Sequence, residues 1–342
     1  MDTNKLIEWY QNHHRKLPWR DTKEPYKIWL SEIILQQTQV VQGLPYYQAF
    51  IKQFPTVNKL AAATEQQVLN LWQGLGYYTR ARNLHYTARD IVTNYQGLFP
   101  KTYKSLLKLK GVGPYTAAAI ASFCYNEPVA VVDGNVYRVL SRIFGIDTPI
   151  NTTEGQKYFK QLAQDQLDRQ QPAVYNQAIM EFGALHCTPA VPKCESCPLL
   201  SDCIAYQTGQ VGNLPVKLSK TKVKHRYLNF YLVKYKNGII LQKRESKGIW
   251  QNLYQLPLIE QTNKDFPTHK VLTAMTGHLD ILFDNPPKLI AQTKHKLTHQ
   301  HLYINFWQID SSHKPKNYVP VSKLKNYPVP AVIAKFLENN IL

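Results

Sequence analysis

The chain has 342 residues, enough for two or three domains, each with a core of its own. No long stretch is free of charge, so no transmembrane helix is expected, and Met1-Asp2-Thr3-Asn4-Lys5 lacks the charged start and apolar run of a secretory signal. With 41 Lys and Arg against 23 Asp and Glu, the net charge of +18 calls for a polyanionic partner. Nucleic acid fits better than a membrane surface, because no amphipathic Lys-rich helix stands out. Residues 1–14 read as an amphipathic helix with Leu6, Ile7, Trp9 and Tyr10 on one face and Asp2 or Thr3 as its cap. Leu17-Pro18-Trp19-Arg20 breaks it. Arg20, beside an aromatic, can stack on a base, pair with a carboxylate or simply face water.

Pro25 opens the next helix, which the pattern carries to near Gly43. Within it Glu32 has Ile28 and Trp29 on one side and Leu35 and Gln36 on the other, where a Leu would be expected. Either Glu32 lies at the edge of the stripe and reaches water, or it is buried. Burial would raise its pKa to where a general acid works near neutral pH. A helix over about 65–72 carries Val68, Leu69 and Trp72. Gly74-Leu75-Gly76-Tyr77-Tyr78 then interrupts the chain with a tip that presents Leu75 and two tyrosines. Such a tip can wedge between base pairs or fill the core between helices. A helix resumes at Arg80 and runs to about Tyr95.

Leu106 to Lys110 closes a helix, Gly111-Val112-Gly113 turns the chain, and Pro114 starts a second helix of small residues. Backbone N–H groups freed by Gly111 and Gly113 beside a helix N-terminus make a phosphate site, so the segment reads as a helix–hairpin–helix, a grip on DNA backbone; a plain helical corner is the alternative. The run Pro128 to Val132 ends in Asp133, followed by Val136, Val139, Leu140, Ile143 and Phe144 at helical spacing. Asp133 is thus placed as an N-cap, where helix N–H groups keep a carboxylate ionised. An ionised Asp beside a neutral, buried Glu is a pair that cleaves glycosidic bonds.

Of five cysteines, four fall at Cys187-x6-Cys194-x2-Cys197-x5-Cys203, a ligand cluster suited to a reducing compartment. Structural zinc more often uses two closely spaced pairs, so a single [4Fe–4S] cluster fits better. Cys124 reads as a core residue. Residues 207–226 are polar and basic, an interdomain linker able to touch phosphate. After it the pattern turns to strands: Tyr227 to Tyr235, an Asn237-Gly238 hairpin signal, Ile239 to Leu241 and His301 to Ile309, with a last helix from Pro330. The second domain is therefore α+β.

These motifs, in this order, resemble the MutY-type adenine DNA glycosylases, members of the helix–hairpin–helix, iron–sulfur DNA glycosylase family. The resemblance is carried by Trp29-Leu30-Ser31-Glu32, Gln36-Gln37-Thr38-Gln39-Val40, Gly74 to Tyr78, Gly111-Val112-Gly113, Val132 to Val136 and the cysteine spacing. It implies an all-α glycosylase domain over 1–206 with a [4Fe–4S] cluster on Cys187, Cys194, Cys197 and Cys203, and a MutT-like (Nudix-type) domain over 227–342. The implied function is base excision repair: adenine opposite 8-oxoguanine or guanine in duplex DNA is flipped out and hydrolysed away by a protein acting as a monomer. Glu32 would protonate the adenine and Asp133 would stabilise the sugar cation or attack it transiently. Tyr115, Asn135 and Arg20 would form the adenine pocket and its surroundings, Gln37, Leu75 and Tyr77 would fill the gap and probe the opposite base, and Thr38 would contact the DNA. Related endonuclease III enzymes carry a lyase Lys where this chain has Tyr115, and Tyr137 stands where some MutY-type proteins have another Lys. Both point to a monofunctional hydrolase.

The opening of the second domain is recognised in Lys247 to Pro257. Val271 to Asp284 holds no glutamate, so a Nudix pyrophosphatase would lack its magnesium site. The resemblance implies a Phe-Ser-His-like turn reading 8-oxoguanine; here the residues are Leu297-Thr298-His299, which keep a hydroxyl and lose the ring. Gln177 stands where the family has a Glu near the adenine pocket. A pyrimidine glycosylase with lyase activity and a non-catalytic DNA clamp are the competing readings. The missing targeting segment favours a bacterial cytosol, with the protein on the nucleoid through its DNA.

Overall fold

The structure, a computed structural model, describes residues 1–218, 223–283 and 285–341. In chain order the helices are α1 (Thr3–His13), α2 (Pro25–Leu35), α3 (Val40–Gln53), α4 (Val57–Ala62), α5 (Glu65–Leu71), α6 (Thr79–Asn94), α7 (Tyr103–Leu106), α8 (Pro114–Tyr125), α9 (Gly134–Phe144), α10 (Thr153–Gln166), α11 (Pro172–Leu185) and α12 (Ile204–Gln207). Strands β1 (Lys224–Tyr235), β2 (Gly238–Ile240), β3 (Gln242–Lys243), β4 (Tyr254–Gln255) and β5 (Leu258–Gln261) follow. After these come α13 (His269–His278), β6 (Lys288–Leu297), β7 (Gln300–Asp310), β8 (Tyr318–Pro320) and α14 (Ala331–Asn340). The chain forms two compact units, one of residues 1–62 and 83–219, the other of 63–82 and 220–342.

The first unit is helical. Asp2 caps α1, accepting from the Lys5 N–H at 3.1 Å, and Leu6, Trp9 and Tyr10 pack with Val136, Val139, Leu140, Phe159 and Phe182. The helix that opens at Pro25 ends at Leu35, well before Gly43. Gln37 takes φ 55°, a left-handed conformation that an α-helix cannot continue through, and α3 starts afresh at Val40. In the helix–hairpin–helix, Gly111 sits at φ +77°, and a Cβ there would lie 2.7 Å from the Asn83 side chain, so both conformation and space require glycine. Thr87 Oγ1 donates to the Lys110 carbonyl at 2.6 Å and fixes the turn from behind. Residues 207–218 lie against this unit: Arg142 Nε donates to the Leu214 carbonyl and Ile150 N–H to that of Val216. Lys220 and Lys222 lie outside the described residues, and Lys224 already belongs to β1.

In the second unit a mixed sheet runs β6-β7-β1-β2-β8 among the described residues, with β5 also paired to β1. β1 and β7 run parallel in register (Tyr227 opposite Tyr303, Phe230 opposite Phe306), and β6 is antiparallel to β7. Phe306 stacks on Phe336 of α14, centroids 3.8 Å apart, closing one face. The turn between β1 and β2 falls one residue before the Asn-Gly signal: Tyr235 pairs with Gly238, and Lys236 takes the left-handed φ of 46°. Residues 63–82 belong to this unit through side-chain bonds such as Asn252 Nδ2 to Glu65 Oε1 at 2.7 Å and Arg82 Nη1 to the Gln251 carbonyl at 2.9 Å. No described helix is long and apolar enough to cross a membrane.

Candidate active site

The apolar residues of α2 are spread around the whole helix, so Glu32 is buried, 6% exposed, and not at an edge near water. Tyr115, in the first turn of α8, donates its hydroxyl to Glu32 Oε2 at 2.7 Å. Burial pushes the Glu32 carboxyl up to about 7, against the pull of Tyr115; nearby Asp133 pushes it further up and Arg20 pulls it down. Burial, with the nearby Glu32 and Asp133 carboxylates, holds the Tyr115 hydroxyl protonated, well above the ordinary tyrosine range.

Asp133 caps α9. Its Oδ1 accepts from the N–H groups of Asn135 (2.9 Å) and Val136 (2.8 Å), and its Oδ2 from Asn135 Nδ2 (2.8 Å). The expectation that these donors simply hold it ionised is incomplete. Asp133 borders a cavity and is half-exposed by area, yet protein surrounds its carboxylate, and burial pushes its pKa up more than the three donors and Arg138 pull it down. It has three direct donors where Glu32 has one, so Asp133 is the stronger acid of the two.

The surroundings fix this carboxylate. Asn176 of α11 accepts the Val131 N–H at 3.0 Å and donates to Ser122 Oγ and the Val129 carbonyl, which clamps the segment leading into Asp133. Arg138 donates to Asn135 Oδ1 (2.8 Å), the Gly183 carbonyl (2.7 Å) and the Cys187 carbonyl (2.7 Å). Gly183 has to be small, because a Cβ there would lie 2.6 Å from that of Asn135. Arg138 and Asn176 were not singled out in the sequence; neither sits in a motif.

Glu32, Tyr115, Asp133, Asn135, Arg20 and Thr38 line one cavity of about 550 Å3, together with Gln177 and Glu181. Arg20 pairs with a carboxylate, one of the options open in the sequence: its Nη1 and Nη2 bind the two Glu181 oxygens at 2.9 and 2.7 Å. Arg15 grips the same carboxylate through Nε and Nη2 at 2.8 and 2.6 Å. Glu181 is 1% exposed, and this pairing holds it down at about 2 in spite of its burial. Arg15 and Glu181 escaped sequence reading; the one available signal was a charge on the otherwise apolar helix α11. Gln177 Oε1 accepts from the Tyr10 hydroxyl at 2.6 Å.

The remaining expected residues lie elsewhere. Gln37 is exposed, outside the residues that line the cavity. Gly111 and Gly113 flank the hairpin, where Gly113 caps α8. At the 74–78 tip of the second unit only Tyr77 is presented, 52% exposed; Leu75 and Tyr78 are buried, each 6% exposed. Tyr77 OH lies 2.9 Å from Thr298 Oγ1 in the same unit, and both Thr298 and His299 are exposed in the β6–β7 turn. Cys187, Cys194, Cys197 and Cys203 line a shared void, where Arg142, 2% exposed, donates to Cys187 Sγ at 3.4 Å. Among the described residues no three such side chains converge tightly enough for a single ion.

The chain matches the family described as HhH-GPD superfamily base excision DNA repair protein over residues 30–165, and a NUDIX domain over residues 228–339. It is 39% identical to an adenine DNA glycosylase of Buchnera aphidicola subsp. Baizongia pistaciae over 307 residues, covering 88% of this chain and 83% of that protein. It is 43% identical to the Homo sapiens adenine DNA glycosylase over 211 residues, covering 59% of this chain and 39% of that one. Among solved structures, a thermostable thymine-DNA glycosylase aligns with a TM-score of 0.56 at 28% identity, over 60% of this chain and 95% of that one. A non-covalent endonuclease III–DNA complex aligns with a TM-score of 0.52 at 21% identity, over 60% of this chain and 94% of that one, a likeness of fold.

Proposed function

We propose, from the premise that the chain belongs to the adenine DNA glycosylase family, that it hydrolyses the N-glycosidic bond of an adenine flipped out of a duplex opposite 8-oxoguanine or guanine. The reading rests above all on one observation, the buried Glu32 held by Tyr115 and raised to about 7 in the cavity that Asp133 also borders. Adenine is a poor leaving group as an anion. Glu32 gives its proton to N7, the C1′–N9 bond breaks with its electron pair going to the base, and adenine leaves neutral. Tyr115 stabilises the Glu32 carboxylate so formed. The cation left on the sugar faces ionised Asp133, which is oriented by Asn135 and through it by Arg138. Glu32 then takes a proton from water as its oxygen bonds to C1′.

Arg20 and Gln177, which line that cavity, are assigned to hold the base. No lysine stands at Tyr115 or Tyr137, which supports a reaction without strand cleavage. Gln37, Thr38 and Tyr77 are assigned to the gap left by the flipped base and to its partner; Leu75 is buried. Gly111 and Gly113 are assigned to a phosphate. The assay is release of free adenine from a duplex carrying adenine opposite 8-oxoguanine. A native chain that releases none, or that nicks the strand without added base, overturns the reading.

Thr298 and His299 are assigned to reading 8-oxoguanine, with Tyr77 on the same hydroxyl. Thr298→Ala is expected to lower the preference for 8-oxoguanine over guanine by about 5- to 10-fold, the worth of one hydrogen bond. The ratio of single-turnover rates on the two duplexes reads this out.

The four cysteines suit a [4Fe–4S] cluster better than zinc. One thiolate per cubane corner spreads the sulfurs around a common void, whereas tetrahedral zinc draws them together. The buried Arg142 guanidinium offsets the negative charge such a cluster brings. A cluster there would pin the 187–203 loop to α9, with no part in the hydrolysis. Purified protein is expected to carry iron and an iron–sulfur absorption band; bound zinc without iron would refute the assignment. The reading as a bacterial, cytoplasmic protein acting on DNA rests on the bacterial relatives and the chain's charge.

A further inference from the structure

One face of the sheet in the second unit changes character along its strands. At one end Tyr231, Val233 and Ile309 are buried against Leu272, Leu279 and Ile281. A row of amides then crosses four strands. Gln292 Nε2 donates to Asn305 Oδ1 (2.8 Å), Asn305 Nδ2 to Asn229 Oδ1 (2.9 Å) and Asn229 Nδ2 to Gln261 Oε1 (3.3 Å). Trp307 Nε1 donates to the same Asn229 oxygen at 3.0 Å, and Asn229 is wholly buried.

Beyond that row the face is aromatic and basic. Tyr227 and Tyr303 stack with centroids 5.1 Å apart, His225 and His301 lie 5.5 Å apart, and Lys294 Nζ stands 4.9 Å from the Tyr303 ring. Register puts Lys296 directly opposite His301, on the same face. His225, Lys294 and Lys296 are exposed, and the other three are half-buried. The ionisable groups facing the histidine pair are thus Lys294 and Lys296 from β6, Tyr303 from β7 and Tyr227 from β1, with His299 following in the turn. Glu260 is opposite Leu228, on the other face, where both its oxygens are held by Arg226. Partial desolvation lowers the His301 pKa, and the charges acting on it, from Lys294, His225 and Lys296, are all positive and lower it further. Such a cluster gains from an anion that separates its members.

We propose that His225, His301, Lys294 and Lys296 form a phosphate-binding strip that holds the DNA backbone flanking the base pair read at Thr298. The strip leads into the Thr298–His299 turn, so one strand can be read at the turn and gripped along the sheet. Backbone contacts of this kind fix register without reading sequence. The identity of the polyanion rests on the glycosylase reading; the cationic strip does not.

The test uses the full-length chain and a fluorescein-labelled undamaged duplex, with binding followed by anisotropy over a salt series at two pH values. Lys294→Ala with Lys296→Ala is expected to flatten the slope of log Kd against log salt by about 1 to 2, the loss of one or two phosphate contacts. The same pair raises Kd by about 10-fold near physiological salt. Binding by the native chain is expected to tighten from pH 8 to pH 6, and His301→Ala to remove part of that gain. Charge reversal to Glu at both lysines deepens the loss. Native salt slopes in the lysine variants together with native pH dependence in the histidine variant overturn the proposal. So does a loss confined to phosphatidylserine vesicles or single-stranded RNA with duplex binding intact. A native chain that releases no adenine would sink the glycosylase reading and leave the duplex-binding result standing.

Discussion

Glu32→Gln is expected to slow adenine release by about 10^2- to 10^4-fold, the usual worth of a positioned acid and base, with binding of the adenine-containing duplex retained. The amide keeps the size of the side chain and can still accept from Tyr115, so the cavity survives, but it has no acidic proton for N7 and cannot take one from water. Single-turnover release at saturating protein separates this loss from binding. The pH profile carries a second signature. The native chain needs Glu32 protonated, so its rate should fall as pH rises past about 7. The need for ionised Asp133 sets a decline on the acid side. An unchanged rate in the variant would remove Glu32 from the reaction.

The same carboxyl leaves a mark on stability. Its folded pKa is raised from 4.5 to about 7, so between those values the folded protein holds a proton that the unfolded chain has released. Stability therefore drops as pH rises through that window, by up to about 3 kcal/mol for a fully realised shift. Glu32→Gln should abolish this component, making the variant the more stable protein near pH 8. Urea midpoints at pH 5 and pH 8 for both proteins test it.

Glu181→Ala is expected to be the most destabilising single change in this region, costing about 3 kcal/mol at neutral pH. It strands the Arg15 and Arg20 guanidiniums against a cavity left by a carboxylate that is 1% exposed. Arg15 keeps about a third of its side chain in water, which holds the cost to the low end for a broken buried pair. Here the pKa is depressed, from 4.5 to about 2. The stabilisation is therefore fully present above the unfolded carboxylate value and is lost as pH falls toward 2. The gap between native and variant urea midpoints should be widest at neutral pH and close in acid. Arg20 also loses its fixed orientation in the cavity, so weaker binding of the adenine duplex should accompany the stability loss. Glu181→Gln, which still accepts hydrogen bonds from both arginines, should recover part of each.

What could be read in the sequence was local. Proline at the first turns of α2 and α8, Asp133 ahead of an apolar series, the Gly-Val-Gly turn and the alternation of β1 and β7 each depend on neighbours within about one helical turn or one strand. The Asp2 cap, the Asp133 cap and the helix after Pro330 stand where those signals put them. Glu32 was legible as an anomaly for the same reason: a carboxylate at an apolar position is visible from i±4 neighbours alone. Whether it was buried was not visible, because its surroundings include Tyr115, 83 residues away in the chain.

Only the tertiary structure decided what depends on distant partners. Glu181 meets Arg15 and Arg20 across more than 160 residues, and Arg138 ties Asn135 to the cysteine loop. Leu75 shares its five-residue tip with Tyr77 but is buried where Tyr77 is exposed, since two side chains in one turn can face opposite ways. The grouping of 63–82 with the C-terminal strands, and the amide row that divides the sheet face, rest on bonds between segments far apart in the chain. Hydrogen bonds and charge pairs are decided by atoms a few ångströms apart, and sequence spacing fixes such distances only within a single element. The sequence by itself therefore determined which chemistry the chain carries and where α1, α2, α8, α9 and α14 begin. The tertiary structure decided which carboxylate is buried, which is paired, and which side chains share one cavity.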